Sequence, residues 1–225
     1  MRYFLVAIIC FAACNTKKHD EAIKVFNRGV AASFQANKEF ENNKDEEATK
    51  LNRQAIDLYK QTLGIDSGYI GARSALAHSL YVDKQFKEAI NWFSNAIAVE
   101  AKSAVNYREM GLSKLNIGEL ESGKDDIDHA FSLDTSETIK KITIQDLKSI
   151  SNTSVAFADD NYKKGEAAIA KNYLSFSVSM LMLAHYYDSK DIEVIKQVVA
   201  HTARLGDNQT SAIFQKKLQQ AQKTQ

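Results

Sequence analysis

Small and apolar side chains recur along the chain at a spacing of 34 residues. Sliding the sequence against itself by this step pairs residues of similar size throughout residues 76–130. The pairs are Leu76 with Met110, Ala77 with Gly111, Phe86 with Leu120, Ala89 with Gly123, Phe93 with Ile127, and Ala96 with Ala130. One step back, Ala55 and Tyr59 fall opposite Ala89 and Phe93. Because the apolar residues within each stretch follow helical spacing, the pattern predicts repeated amphipathic helices.

The small positions predict where the two helices of a hairpin pack closely. A larger side chain at residues 77 and 89, or at 111 and 123, would force the helix axes apart. Gly118, and Lys84 in the preceding unit, occupy the turn between helices, where a left-handed backbone is expected. A 34-residue period with this arrangement resembles the tetratricopeptide repeat. The resemblance is clearest over residues 70–135, and it implies an all-α protein: an α-α superhelix, or solenoid, of antiparallel helix hairpins.

An elongated hairpin is predicted before these two units. Gly29 resembles the first small position, but 26 residues separate it from Ala55, whereas 12 separate Ala77 from Ala89. The excess of 14 residues (26 − 12) is nearly four helical turns, so each helix could gain two turns and keep its apolar face in register. The polar residues 41–47 would supply the turn and an acidic helix start. The alternative is a solvated loop of about ten residues in the same place.

The repeat is harder to follow after residue 135. We therefore divide the mature chain into repeats at residues 20–135, and degenerate helical repeats with a C-terminal cap at residues 136–225. Residues 141–145 and 174–180 alternate like strands, but the second run continues through residue 184, which is too long for one strand without a hairpin partner. We favour helix for both. Gly206 is predicted to end one helix, and Asp207 or Asn208 to begin the last.

Composition supports an all-helical chain and argues against nucleic-acid binding. The 225 residues include no proline and only nine glycines, whereas all-β folds use both freely in turns. Lys and Arg number 29 against 28 Asp and Glu, a formal charge of +1. This balance lacks the basic excess that binding to a phosphate backbone requires.

The N-terminus has the layout of a secretory signal: a basic start, an apolar run from Tyr3 to Ala13, and then an abrupt polar stretch. Phe11-Ala12-Ala13-Cys14 resembles the bacterial lipobox. The resemblance implies removal of residues 1–13, lipidation of Cys14, a short tether at residues 14–19, and a lipid-anchored protein of the bacterial cell envelope. The expected location is the outer membrane, facing either the periplasm or the cell surface. Cys10 and Cys14 are the only cysteines, so the mature chain would hold no disulfide.

Sequence motifs for catalysis, metal or cofactors are absent. None of the five histidines has a second histidine or a cysteine at metal-ligand spacing. No nucleophile elbow, zincin motif or phosphate-binding glycine loop occurs. We therefore expect no enzyme activity, no metal site and no cofactor.

Without such motifs, the function expected of this chain is binding at its surface. In tetratricopeptide arrays the first helix of each hairpin lines a concave groove, and the resemblance implies an exposed groove for a protein or peptide partner. Its expected lining is Phe34, Ser74, His78, Tyr81, Arg108, Leu112 and Asn116. The alternative for the apolar members is packing against a neighbouring repeat. An alternative is an accessory subunit that binds envelope glycan or another small ligand at an aromatic cluster in the C-terminal half. That cluster would comprise Tyr173, Phe176, Tyr186 and Tyr187.

Overall fold

The computed structural model describes residues 2–100 and 102–223, with side chains described from residue 16 onward. Over these residues the chain forms ten helices and no strand, which confirms the all-α prediction. The helices are α1 (Arg2–Glu41), α2 (Asp45–Ile65), α3 (Ala72–Val82), α4 (Phe86–Val99), α5 (Ala104–Asn116), α6 (Leu120–Leu133), α7 (Glu137–Lys163), α8 (Ala167–Tyr187), α9 (Ile192–Leu205) and α10 (Asn208–Lys223). Consecutive helices pair as antiparallel hairpins, the arrangement of a tetratricopeptide-like solenoid.

The chain divides into two compact units, Met1–Leu133 and Asp134–Gln225. Unit 1 contains α1 to α6 and has one continuous core to which α1 through α5 contribute. Phe93 is fully buried in this core. The core comprises Val25, Ala32, Ala55, Ile56, Leu58, Tyr59, Leu76, Ala77, Leu80, Ala89, Phe93 and Met110.

Both helices of the first hairpin are long, and a tight turn joins them. Asn43 in that turn has a φ of 58°, the left-handed conformation that asparagine tolerates better than most residues. Three acidic residues begin α2, where they complement the helix dipole. Gly29 packs against Tyr59, and a Cβ atom at Gly29 would lie 2.7 Å from the Tyr59 ring. The close approach explains why a small residue is needed at position 29.

The next two hairpins meet through different small residues. In α3 and α4 the close positions are Ala77 and Ala89, both fully buried. In α5 and α6 they are Gly111 and Gly123, and a Cβ atom on Gly111 would lie 2.6 Å from the Gly123 carbonyl oxygen. The two glycines therefore place backbone against backbone. Lys84 and Gly118 have φ values of 61° and 88° in the two turns, which confirms the left-handed turn positions.

Unit 2 contains α7 to α10, and the stretch with strand-like alternation lies inside α8. Leu174, Ser177, Leu181 and Ala184 are all buried, and their spacing of three and four residues matches one helix face. The alternation is therefore a local coincidence within a helix. At the end of α9, Gly206 adopts a φ of 79°. The Asp207 carboxylate accepts a hydrogen bond from the Thr210 amide, which confirms the predicted helix cap.

Helix α8 is also apolar enough, and long enough at 21 residues, to cross a bilayer. It is the one helix in the described part of the chain that meets this criterion. Buried helices of soluble proteins meet it too, and α8 packs along both α7 and α9. Length and composition by themselves therefore assign no membrane span here.

Candidate partner-binding surface

The expected groove residues lie on α1, α3 and α5, the first helices of the three hairpins in unit 1. Phe34 on α1 is 73% exposed. Ser74, His78 and Tyr81 on α3 are partly exposed, as is Asn116 at the end of α5. These five residues present at least part of their surface to solvent, as a binding role requires. Binding at them stays a prediction.

Two expected groove residues are buried instead. Arg108 is 7% exposed and Leu112 is fully buried, so the expected exposure of both side chains is wrong. The reason is the position of α5, which packs against α3, α4 and α6 and has buried residues around most of its circumference. The Arg108 guanidinium lies 3.9 Å from a Glu109 carboxylate oxygen. Arg108 thus belongs to the packing around α5 and offers little surface to a partner.

Polar side chains join α3 to α5 and to Glu100, the residue that follows α4. We call this group the α3/α5 seam; it is formed by Ser74, His78, Glu100, Asn106 and Glu109. The Asn106 amide donates to the Ser74 hydroxyl at 2.9 Å, and that hydroxyl donates to Glu100 at 2.8 Å. His78 Nδ1 lies 2.8 Å from Glu109 Oε2. Asn106 and Glu109 are buried, whereas Ser74 and His78 reach the surface. The seam therefore holds two surface polar groups in fixed orientations.

Sequence reasoning missed Glu100, Asn106 and Glu109. Transferring the α3 positions by 34 residues assigns Arg108 and Leu112 to the surface of α5, whereas the side chains that reach Ser74 and His78 are Asn106 and Glu109. Asn106 and Glu109 precede Arg108 and Leu112 by two and three residues and lie on a different face of α5. The one available signal was Glu109 itself, a carboxylate next to Arg108 within the 34-residue repeat.

The hydrogen bond to Glu109 raises the pKa of His78, although burial and the Arg108 charge act in the opposite direction. The protonated imidazole donates from Nδ1 to the carboxylate. Because the folded-state pKa is raised, the stabilising contribution is fully present below the ordinary histidine pKa of about 6.5 and is lost as pH rises through the folded-state value. Protonation thus links the surface histidine to the buried helix α5.

We expect wild-type protein to exceed His78→Gln in stability by more at pH 5.5 than at pH 8.5. The difference should be on the order of 0.5 kcal/mol, since the imidazole is 41% exposed and exposed pairs are screened. Urea unfolding of both forms at both pH values measures it. The comparison must be made between variants, because burial lowers the pKa of His185 and His201 and so destabilises the fold at low pH. An equal gap at the two pH values would contradict the assigned bond.

Helix α1 carries exposed apolar residues. Val30 is 44% exposed and lies one turn from Phe34. Aligning Gly29 with Ala77, the two first small positions, places Val30 at the repeat position of His78. By repeat position, therefore, the apolar residues of α1 correspond to the polar surface residues of α3.

The aromatic residues of the alternative site do not form one cluster. Tyr173 stacks on Phe157 with ring centroids 5.4 Å apart, and Tyr186 contacts Tyr187 at 5.3 Å. Thirteen residues separate Tyr173 from Tyr186 on α8, about 20 Å along the helix axis. The tyrosines of the predicted cluster therefore fall in two separate aromatic pairs, of which the first includes an unpredicted residue, Phe157.

A buried network in unit 2 resembles a hydroxyl and imidazole relay but is inaccessible. Ser177 Oγ lies 2.7 Å from Ser151 Oγ and 2.9 Å from His201 Nδ1. Both serines are fully buried and His201 is 9% exposed. No substrate can reach these atoms, so the network joins α7, α8 and α9 in the core. Among the described side chains, no three His, Cys, Asp or Glu residues converge as metal ligands would.

Neither family models nor curated proteins match this sequence. Solved structures with a similar fold include YrrB, described as a TPR protein with an unusual peptide-binding site. The two sequences are 13% identical, the match covers 85% of this chain and 84% of that chain, and the TM-score is 0.46. MamA from Desulfovibrio magneticus RS-1 is 12% identical, with 88% of this chain and 97% of that chain covered and a TM-score of 0.40. A putative kinesin light chain with TPR-like repeats from Podosopora anserina is 14% identical, with 89% of this chain and 98% of that chain covered and a TM-score of 0.48. At these identities and scores the likeness concerns the fold alone.

Fold and surface together define the class: an all-α protein of tetratricopeptide-like helix hairpins. In unit 1 the first helices carry exposed apolar residues on α1 and hydrogen-bonded surface polar groups on α3.

Proposed function

We propose that this protein is a non-enzymatic scaffold that binds a protein or peptide on the first helices of unit 1. The observation that carries the proposal is the exposure of Val30 and Phe34, one turn apart on α1. Large apolar side chains that neighbour each other at the surface are typical of interaction sites. An aromatic ring that fits a pocket of the partner is a common anchor in such interfaces.

The α3/α5 seam supports the same proposal because it orients surface polar groups before a partner binds. Ser74 and His78 are held by Asn106, Glu100 and Glu109, so little side-chain freedom is lost when a partner binds. An extended peptide or a partner helix needs apolar anchors together with a few oriented polar contacts. Phe34 supplies an apolar anchor, and His78 supplies an oriented polar contact.

A photo-crosslinking amino acid at residue 34 is expected to yield discrete adducts in the native envelope. The matched control is the same group at Val99, which is 63% exposed but lies on α4, a second helix. Adducts should form at residue 34 and fail to form at residue 99, and mass spectrometry would identify the partner. Equal adduct patterns from both positions would move the binding surface away from α1.

We further propose that the protein is anchored in the bacterial envelope by lipid on Cys14. The support is the sequence Phe11-Ala12-Ala13-Cys14 at the end of an apolar run; the Cys14 side chain lies outside the described residues. A single acyl chain binds a bilayer marginally, so stable anchoring requires two or more chains.

Cells fed a labelled fatty acid should label the wild-type protein and leave Cys14→Ala unlabelled. Immunoprecipitation followed by detection of the label measures the difference, with Cys10→Ala as the control, because residue 10 lies in the segment expected to be removed. Label retained by Cys14→Ala would refute the anchor.

A second candidate function is recognition of an envelope glycan by unit 2. The specific observation is the Phe157 and Tyr173 stack, whose rings are 29° from parallel and whose side chains are 51% and 37% exposed. Flat exposed aromatic surfaces pack well against the apolar faces of sugars. Competition between peptide and glycan fragments in pull-downs would separate the two functions.

A further inference from the structure

The segment of α1 that follows Cys14 leaves little distance between the proposed lipid and the folded body. Helix α1 is continuous from Arg2 to Glu41, and the first buried side chain after residue 16 is Ala22. Eight residues of helix from Cys14 to Ala22 span about 12 Å. The side chains of residues 16–21 are exposed, because they lie before the buried stripe of α1 begins. The body of unit 1 would therefore sit close to the membrane that holds the lipid.

The loop between α2 and α3, residues 66–71, packs beside this segment. His19 Nδ1 lies 2.8 Å from Asp66 Oδ2, and the His19 ring is 5.8 Å from the Tyr69 ring. Tyr69 also packs on Phe26 of α1, with centroids 4.8 Å apart. His19 follows Cys14 by five residues, about 7.5 Å along the helix. That rise is close to the thickness of one headgroup layer, about 5–8 Å.

Ile70 in this 66–71 loop is 82% exposed, more than any other large apolar side chain whose surface the structure describes. The loop backbone is held in place, because the Gly68 amide donates to the Asp66 carboxylate and the Tyr69 amide donates to the Asp66 carbonyl. A rigid loop that presents an isoleucine near a lipid anchor is suited to the interface of a bilayer, where apolar side chains are favoured.

We propose that the 66–71 loop is a membrane-contact surface and that Ile70 inserts into the headgroup region of the bilayer that holds the Cys14 lipid. The proposal rests on the proposed lipidation of Cys14. Electrostatics contribute little to this contact, because residues 16–21 carry two lysines against two acids, and the Asp66 charge balances the Arg73 guanidinium, which donates to the Ser67 carbonyl in the loop. The contact should therefore form on zwitterionic and on anionic vesicles alike.

The test uses the acylated mature chain, from Cys14 onward, with Ile70→Cys labelled by an environment-sensitive fluorophore. The label is specific because lipid occupies the Cys14 sulfur and Cys10 leaves with the signal segment. Phe34→Cys is the matched control: it is 73% exposed and lies fifteen residues beyond His19 on α1, about 22 Å further along the helix. The proteins are reconstituted in vesicles of phosphatidylcholine, with and without phosphatidylglycerol.

At residue 70 we expect a blue shift of the emission and strong quenching by headgroup spin-labelled lipid, in both compositions, and neither effect at residue 34. If acylated protein floats with the vesicles but the label at residue 70 keeps a water-like emission, the contact surface is overturned and the lipid anchor is supported. Equal quenching at both positions also overturns the surface. Protein that carries no lipid and does not float overturns the anchor and the surface together.

Discussion

Replacing Phe93 by alanine is expected to lower the free energy of unfolding by about 3–5 kcal/mol. Phe93 is fully buried in the core of unit 1, so truncation removes apolar burial and leaves a cavity among neighbours from several helices. Because each hairpin of a solenoid is stabilised by the next, the loss should spread to adjacent hairpins. Chemical denaturation monitored by circular dichroism measures the change.

Phe34→Ala is the matched control, since it removes the same atoms from a side chain that is 73% exposed. Its unfolding free energy should stay within about 0.5 kcal/mol of wild type. The same variant should lose partner capture if Phe34 is a binding anchor. A large loss of stability at Phe34, or none at Phe93, would contradict the assigned packing.

Replacing Gly111 by alanine is expected to destabilise unit 1 by about 1–3 kcal/mol or more. The added Cβ would lie 2.6 Å from the Gly123 carbonyl oxygen and 2.9 Å from Ile127. A backbone atom cannot rotate away as a flexible side chain can, so α5 and α6 must move apart. This loss outweighs the intrinsic helix preference for alanine over glycine, about 1 kcal/mol.

Gly64→Ala provides the control with the opposite sign. Gly64 lies in the last turn of α2, and a Cβ atom there would meet nothing within 4 Å. Alanine should stabilise α2 by about 0.5–1 kcal/mol, because only helix propensity changes. Thermal or urea unfolding of the two variants would show opposite shifts. A stabilising Gly111→Ala would mean that the glycine pair of α5 and α6 is not in backbone contact.

The helix hairpins could be predicted because their signals are local or periodic. Small residues at 77, 89, 111 and 123 recur at one interval, and the structure places each pair where two helices meet. Turn residues act through their own backbone, so Lys84 and Gly118 could be assigned from position alone. The strand-like run in α8 could be assigned to a helix, because it is too long for a single strand.

The surface could be predicted only in part. Phe34 and His78 lie at the surface as the repeat positions predict, whereas Arg108 and Leu112 do not. The same repeat positions are partly exposed on α3 and buried on α5, a difference that the 34-residue period does not predict. Periodicity records which face of a helix packs, and it carries no information on how much of the circumference is covered.

From the sequence alone follow the all-α class, the hairpin spacing and the small contact positions, because each depends on residues that are close together in the chain or repeat at a constant interval. Tertiary structure alone decided the partners of Ser74 and His78, the burial of Arg108, and the separation of the two aromatic pairs in unit 2. Hydrogen-bond partners some 30 residues apart depend on which face of α5 meets α3, and tertiary packing decides that face.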